Sequence, residues 1–263
     1  MPEEITETIK TKIWRETPES DNSFAAASCF CCGYDVYRDI LKNASYIDYL
    51  YLLFKRQQPT PEQSALLEGL AVALANPGPR DHSVRAAMSA GVGGSTHASA
   101  LIAALSVGAG NLGGSREVFH AMEYWQQCGT SLEAWQQLIR EPPQLGREDV
   151  WLPMEHAPGF DPNGVSCPTP VKQTLAHLVG EGEGLHLQWL NDNRTALEEF
   201  AGCPLAFSGV AAAALQDLEF LPEQAEMLFL LLRLPGAAVH SLEQERLGWR
   251  KYPFFANGFK LNP

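Results

Sequence analysis

The sequence predicts an all-α fold, and three observations support this. Apolar residues recur at helical spacing along most of the 263 residues. Runs that alternate apolar and polar residues, as half-buried strands do, are scarce. Hydrophobic residues make up 45% of the chain, which is enough for one sizeable core or for two closely joined lobes.

The first two predicted helices carry clear boundary signals. In residues 43–55 the apolar side chains follow a 3.6-residue period, and residues 56–61 then form a proline-bearing turn. The next helix begins at the sequence TPEQ, where Thr60 caps the helix and Gln63 reaches back to the cap. Residues 76–82, NPGPRDH, form a loop, and a helix rich in small residues begins near Ser83.

The later helices differ in character. Residues 98–108 have alanine and glycine where a buried helix needs close backbone approach, and they lead into a glycine-rich turn. Residues 116–202 contain more Trp, Gln, Pro and Gly, in short helical patterns interrupted by prolines. Residues 222–245 show the longest helical pattern.

This shift in composition divides the chain into two predicted domains. We expect a large helical domain formed by residues 1–115 and 205–263, and a smaller inserted helical domain, or lid, formed by residues 116–204.

Net charge and apolar content restrict the partners. With 31 acidic and 19 basic residues the formal net charge is −12, which disfavours contact with nucleic acid or an anionic membrane surface. The N-terminal sequence has no signal-peptide pattern, and the longest strongly apolar stretch, residues 227–232, is far shorter than the roughly 18 residues that span a bilayer. We therefore expect a cytoplasmic protein.

The six cysteines do not indicate a metal site. Three of them crowd into SCFCCGYD, and the other three stand alone without the spacing of a zinc site. We expect mostly buried, reduced thiols, and no metal.

The first half of the chain contains, in order, GYDVYRDILKNASYIDYLYLLFKRQQPTPEQ, LAVALANPGPRDHS and the turn GAGNLGGS. Together with three segments of the second half, they resemble the citrate synthase superfamily, and in particular its short citryl-CoA-lyase-like branch. In the second half, APGFDP resembles the family's PGFGH, LAFSGVAAAAL its NVDGAIAAL, and LLRLPGAAVHSLEQER its R..G..AH..EE helix. The resemblance implies an all-α homodimer whose small domain closes over an acyl-CoA and an oxo acid.

At several catalytic positions of the family this chain has other residues. Pro77 follows Asn76 where the family has a histidine, and proline offers neither a side-chain donor nor a backbone N–H. Asp161 or Pro162 replaces the second histidine, Ser208 replaces the general-base aspartate, and the glycine-rich turn lacks the family's histidine. Citrate synthase activity itself is therefore expected to be absent.

The remaining candidates follow from the same resemblance. For altered chemistry they are His82, Asp161, Cys167 and Ser208. For ligand binding they are Asn76, His240, Arg233, which matches a carboxylate-binding arginine, and Arg250, which matches an arginine sent into the partner's site.

Two interpretations follow. The first is an enzyme of the acyl-CoA and oxo-acid class that forms or cleaves a C–C bond by altered chemistry on a small carboxylate or acyl-CoA. It needs no bound cofactor, although a coenzyme A thioester is a possible substrate. The second is a noncatalytic pseudoenzyme that senses a ligand or forms a heteromer with an intact homologue. A serine hydrolase is disfavoured, because Ser208 lies in no GxSxG elbow.

Overall fold

Helices dominate the computed structural model, which describes residues 10–143, 154–182 and 184–254. This confirms the predicted all-α class. The chain divides into two compact units, Met1–Leu67 and Glu68–Pro263. Among the described residues the α-helices are α1 (Leu41–Asn43), α2 (Tyr46–Lys55), α3 (Pro61–Leu74), α4 (His82–Val92), α5 (His97–Gly108), α6 (Ser115–Cys128), α7 (Leu132–Arg140), α8 (Thr169–Glu181), α9 (Leu185–Ala201), α10 (Phe207–Asp217) and α11 (Pro222–Leu247).

The first unit contains a small antiparallel sheet that the sequence patterns did not predict. Its strands, in spatial order, are β1 (Trp14–Pro18), β2 (Ala26–Cys31) and β3 (Tyr34–Asp35). Cys32 and Gly33, both at positive φ, form the two-residue turn between β2 and β3. The strands escaped prediction because β2 reads AASCFC, which does not alternate between apolar and charged residues.

The helix starts of the first unit agree with the capping signals. Thr60 Oγ1 accepts the Gln63 N–H at 3.2 Å, and Gln63 Oε1 accepts the Thr60 N–H at 3.0 Å, so the predicted cap is confirmed. Helix α2 begins at Tyr46, later than the predicted Asn43, because Ser45 caps it in a capping box with Asp48.

In the second unit, α11 packs against α4, α5 and α6. The predicted helix at residues 222–245 is confirmed and ends at Leu247, where Gly248 has φ +78°. Small residues allow the close packing: Ala87, Ala104 and Ala237 form a buried cluster.

The loop that follows α3 is anchored to α11 next to the proline inside that helix. Pro235 has no N–H, and the next N–H, that of Gly236, donates to Ala75 O at 2.7 Å. A side chain at Gly236 would collide with the Ala75 carbonyl and with Asn76. This contact fixes the start of the loop 75–81.

Helix α10 is buried along its length, and its N-terminal end holds a second loop. Phe160 and Leu205 form an isolated antiparallel bridge, and the Ala206 N–H donates to Gly159 O at 2.9 Å. Gly159 and Gly209 approach so closely that a Cβ on either would collide with the other's backbone. Asp161 is positioned by this loop.

Helix α11 is also long and apolar enough, by length and composition, to cross a membrane. Its most apolar window has a mean hydropathy of 1.3, and 44% of that window is buried inside the structure. The buried helix of a globular core passes the same test.

The predicted division into a large domain and a lid stays a prediction. Helix α6, which begins at the predicted boundary, packs against both α10 and α11.

The contact between α4 and α11 provides a test of the packing. A Cβ at Gly91 would lie 2.6 Å from the Ser241 carbonyl oxygen. We therefore expect Gly91→Ala to lower the free energy of unfolding in urea by roughly 1–3 kcal/mol, the usual cost of overpacking.

The matched control is Gly180→Ala in α8, where a Cβ would meet nothing within 4 Å. This change should leave stability unchanged or raise it by up to about 1 kcal/mol, since alanine favours a helix more than glycine does. Equal effects of the two substitutions would contradict the packing described here.

Candidate active-site cleft

A cavity of about 370 Å³ lies within the second unit. Its walls come from the end of α3, the loop 77–81, the turn before α6, the loop 160–163 and the side chains of Phe229 and Arg233 on α11. This volume is within the range of small-molecule sites, roughly 300–1,000 Å³.

Four helices contribute their N-terminal ends to this cavity. Asp81 and His82 start α4, Gly113 precedes α6, Pro168 precedes α8, and Phe207 starts α10. Each N-terminal end carries a partial positive charge, so their convergence favours negative charge in the cavity. Two protein carboxylates, Asp81 and Glu117, already use part of this field.

Glu117 is a buried acid in the cleft wall, with 1% of its surface exposed. Its Oε1 accepts the Ser208 hydroxyl at 2.8 Å and the Gly159 N–H at 3.0 Å, and its Oε2 accepts the Gly113 N–H. These donors compensate for the desolvation of the carboxylate, so Glu117 joins α6, α10 and the loop before Phe160.

Arg233 is the buried cation at the bottom of the cleft. Its Nη2 donates to Asp81 Oδ2, and its Nη1 donates to Gly113 O at 2.9 Å. Burial lowers the pKa of this guanidinium from its usual value, and the charges of Asp81 and Glu117 oppose the shift. Asp81 Oδ1 also accepts the N–H groups of Ser83 and Val84 and so caps α4.

The structure brings four of the predicted site residues together. His82, Asp161, Ser208 and Arg233 all line the cavity, as does Pro77. The Ser208 hydroxyl has a hydrogen-bond acceptor, as a reactive serine needs, but this acceptor is the carboxylate of Glu117. Asp161 Oδ1 accepts the Asn163 N–H at 2.9 Å.

The other predicted residues lie outside the cavity lining. Asn76 Oδ1 is 3.1 Å from His240 Nε2, so these two pair with each other. Arg250 is exposed, with its guanidinium carbon 5.3 Å from the centre of the Trp249 ring. Cys167 is 7% exposed, and burial, followed by the charge of Glu198, raises the pKa of its thiol.

Three charged residues of the cleft were not predicted from the sequence: Arg80, Asp81 and Glu117. Asp81 could have been found, because an aspartate before HSV is a common helix cap. Glu117 is an acid in the first turn of a helix, a weak signal that many surface residues share. Arg80 follows a proline in a loop, and no pattern marks it.

Behind Glu117 lies the imidazole of His156. Its Nε2 is 3.9 Å from Glu117 Oε2 and has no hydrogen-bond partner among the described residues. Within the same part of the chain, no group of three or more His, Cys, Asp or Glu side chains could hold a metal ion.

The helices and their cleft define an all-α protein with a small-molecule cavity at converging helix ends. Comparison with solved structures identifies the fold as citrate synthase-like. The citryl-CoA lyase from Hydrogenobacter thermophilus matches at 19% identity with a TM-score of 0.69, over 98% of both chains.

Two longer proteins share the same fold. The ATP citrate lyase from Methanothrix soehngenii, in complex with citrate and coenzyme A, matches at 17% identity and a TM-score of 0.73. A variant of the Methanosaeta concilii ATP citrate lyase, in complex with (3S)-citryl-CoA, gives the same values. Each match covers 98% of this chain and 42% of the longer one. No protein-family profile and no curated protein matches the chain.

The buried carboxylate of Glu117 provides a second test. Glu117→Gln replaces one acceptor oxygen by an amide that faces donors, and it removes the charge. We expect the free energy of unfolding to fall by about 1.5–3 kcal/mol, the worth of a hydrogen bond to a charged group.

Glu123→Gln is the matched control on the same helix, since this side chain is 40% exposed. Its effect in the same urea titration should stay within about 0.5 kcal/mol. An unchanged stability of Glu117→Gln would show that the hydrogen bonds of Glu117 are dispensable.

Proposed function

We propose that this chain is a citrate synthase-like protein whose cleft binds a small carboxylate or an acyl-CoA and performs altered C–C bond chemistry. One observation carries the proposal: His82, Asp161, Ser208 and Arg233, from four separate segments, line one cavity. The solved structures support the ligand class, because one of them is in complex with citrate and coenzyme A.

The reaction of citrate synthases is absent in this proposal. Enolising a thioester needs a base at the carbon and a hydrogen-bond donor at the oxygen at the same time. Pro77, which lines the cavity, can supply no donor, and the Ser208 hydroxyl already donates its hydrogen bond to the Glu117 carboxylate. His82 and Asp161 are the remaining candidates for proton transfer.

The proposed acyl-CoA remains a substrate rather than a resident cofactor. In the segment GVSCPTPVK, residues 164–172, Lys172 is the only basic residue that could meet a nucleotide phosphate. The uncapped N-terminal end of α8 is a second source of positive potential, because no side chain caps it.

The test combines binding with turnover. We expect small carboxylates or CoA esters to raise the melting temperature, since a ligand that binds only the native state stabilises it. Incubation with acetyl-CoA and oxaloacetate, and separately with citryl-CoA, should give no change in free thiol or thioester. Turnover in either assay would refute the predicted loss of the ancestral reaction.

His82→Ala and His97→Ala form a matched pair for the binding arm. Each histidine is the exposed first residue of a helix, but only His82 lines the cavity. We expect His82→Ala to reduce the ligand-induced shift and His97→Ala to preserve it. If no carboxylate or CoA ester raises the melting temperature of the wild type, the function proposed here is wrong, and the interpretation as a noncatalytic partner subunit takes its place.

We also propose that the chain forms a homodimer through the exposed face of α11. Met227, Leu231, Val239 and Leu242 are exposed at helical spacing along this face and form one apolar stripe. A surface stripe of this kind is typical of a protein interface.

Sedimentation equilibrium tests the dimer. With a chain mass of 28.9 kDa, the wild type should have twice this mass, and Leu231→Glu should give the mass of a single chain. Val72→Glu, at a valine of α3 that is 73% exposed outside the stripe, should remain dimeric. A monomeric wild type would instead favour the heteromer with an intact homologue.

A further inference from the structure

The charges that line the cleft are a poor match for a ligand with several carboxylates. Its lining contains three acids, Asp81, Glu117 and Asp161, and two arginines, Arg80 and Arg233. The formal charge of these five side chains is therefore negative. A ligand carboxylate needs a cation that no protein carboxylate already occupies.

Arg233 does not meet this requirement. Arg233 is 7% exposed, and its guanidinium donates to Asp81 and to the Gly113 carbonyl. Turning this fork toward a ligand would leave the Asp81 carboxylate and the Gly113 carbonyl without their partner, and such a loss is costly in a buried site.

The two other acids repel a ligand carboxylate. Both Glu117 oxygens accept hydrogen bonds from the protein, and no cation lies within ion-pair distance of Asp161 among the described residues. Each additional carboxylate on a ligand would face one of these acids without a positive partner.

Arg80 is the cation that stays available. It lines the cavity and is exposed, and in the described part of the chain its guanidinium has no carboxylate or carbonyl partner. It lies on the loop 77–81, whose end is fixed where Asp81 caps α4 and binds Arg233. The cavity is also lined by the starts of α8 and α10, neither of which has a side-chain cap.

We propose that Arg80, rather than Arg233, takes the anionic group of the ligand, and that the cleft selects ligands with one carboxylate over tricarboxylates. This inference rests on the proposed function, because it concerns the ligand of the same cleft. Arg233 and Asp81 then form a fixed ion pair that shapes the wall. The guanidinium of Arg80 suits the binding of the ligand, since a guanidinium binds a carboxylate through two parallel hydrogen bonds.

The experiment measures the dissociation constants of pyruvate, malate and citrate, which carry one, two and three carboxylates, at constant ionic strength. Calorimetry on the wild type should give a constant for pyruvate that is at least about tenfold lower than that for citrate. Arg80→Ala should weaken pyruvate binding by about tenfold or more, as expected for the loss of a charge-assisted hydrogen bond. Arg80→Lys should lie between the two, because it keeps the charge and loses the fork.

Arg85→Ala is the matched control. Arg85 is exposed on the first turns of α4, close in sequence to Arg80, but it does not line the cavity. The affinity of Arg85→Ala for pyruvate should equal that of the wild type. Without ligand, Arg80→Ala and Arg85→Ala should both keep the wild-type melting temperature.

Two outcomes would overturn the inference and leave the proposed function standing: citrate binding at least as tightly as pyruvate, or Arg80→Ala binding pyruvate like the wild type. A wild type that binds none of these carboxylates and no CoA ester would instead refute the proposed function, and the role of Arg80 with it.

Discussion

The cleft depends on one buried carboxylate. Glu117 has left water almost completely, and a buried charge persists only where donors surround it. Its donors are the N–H groups of Gly113 and Gly159 and the hydroxyl of Ser208. These groups belong to three distant segments, so satisfying one side chain determines where the turn before α6, the loop 157–163 and the start of α10 meet.

A second polar contact completes the frame, and it also determines the charge of the cleft. Asp81 caps α4 through its Oδ1 and holds Arg233 of α11 through its Oδ2. Arg233 donates in turn to the carbonyl of Gly113, whose N–H is bound by Glu117. The buried Arg233 and the acids Glu117 and Asp81 are therefore used to hold the walls together. A ligand can therefore contact only the charged and polar groups of the cavity surface that are not already paired in this way.

Local signals explain which parts of this molecule the sequence could predict. Thr60 and Gln63 are three residues apart, so their capping box is visible in the sequence, and the apolar period of α11 extends over many turns. The partner of Ser208 is 91 residues away and is chosen only when α6 packs on α10. The resemblance to citrate synthases indicated the positions of Ser208 and Arg233 in the cleft, but it could not show that both are already paired within the protein.

These pairings bear on the chemistry as well as on the frame. The Ser208 hydroxyl lines the cleft, but it offers no free donor to a substrate oxygen because it donates to the Glu117 carboxylate. Ser208 therefore presents lone pairs to the cavity and acts as an acceptor. Donors must come from Arg80, from His82 or from the uncapped ends of α8 and α10. The donors that a substrate oxygen could meet therefore lie on segments other than the one that carries Ser208, and this arrangement is consistent with the altered chemistry that we propose for the cleft.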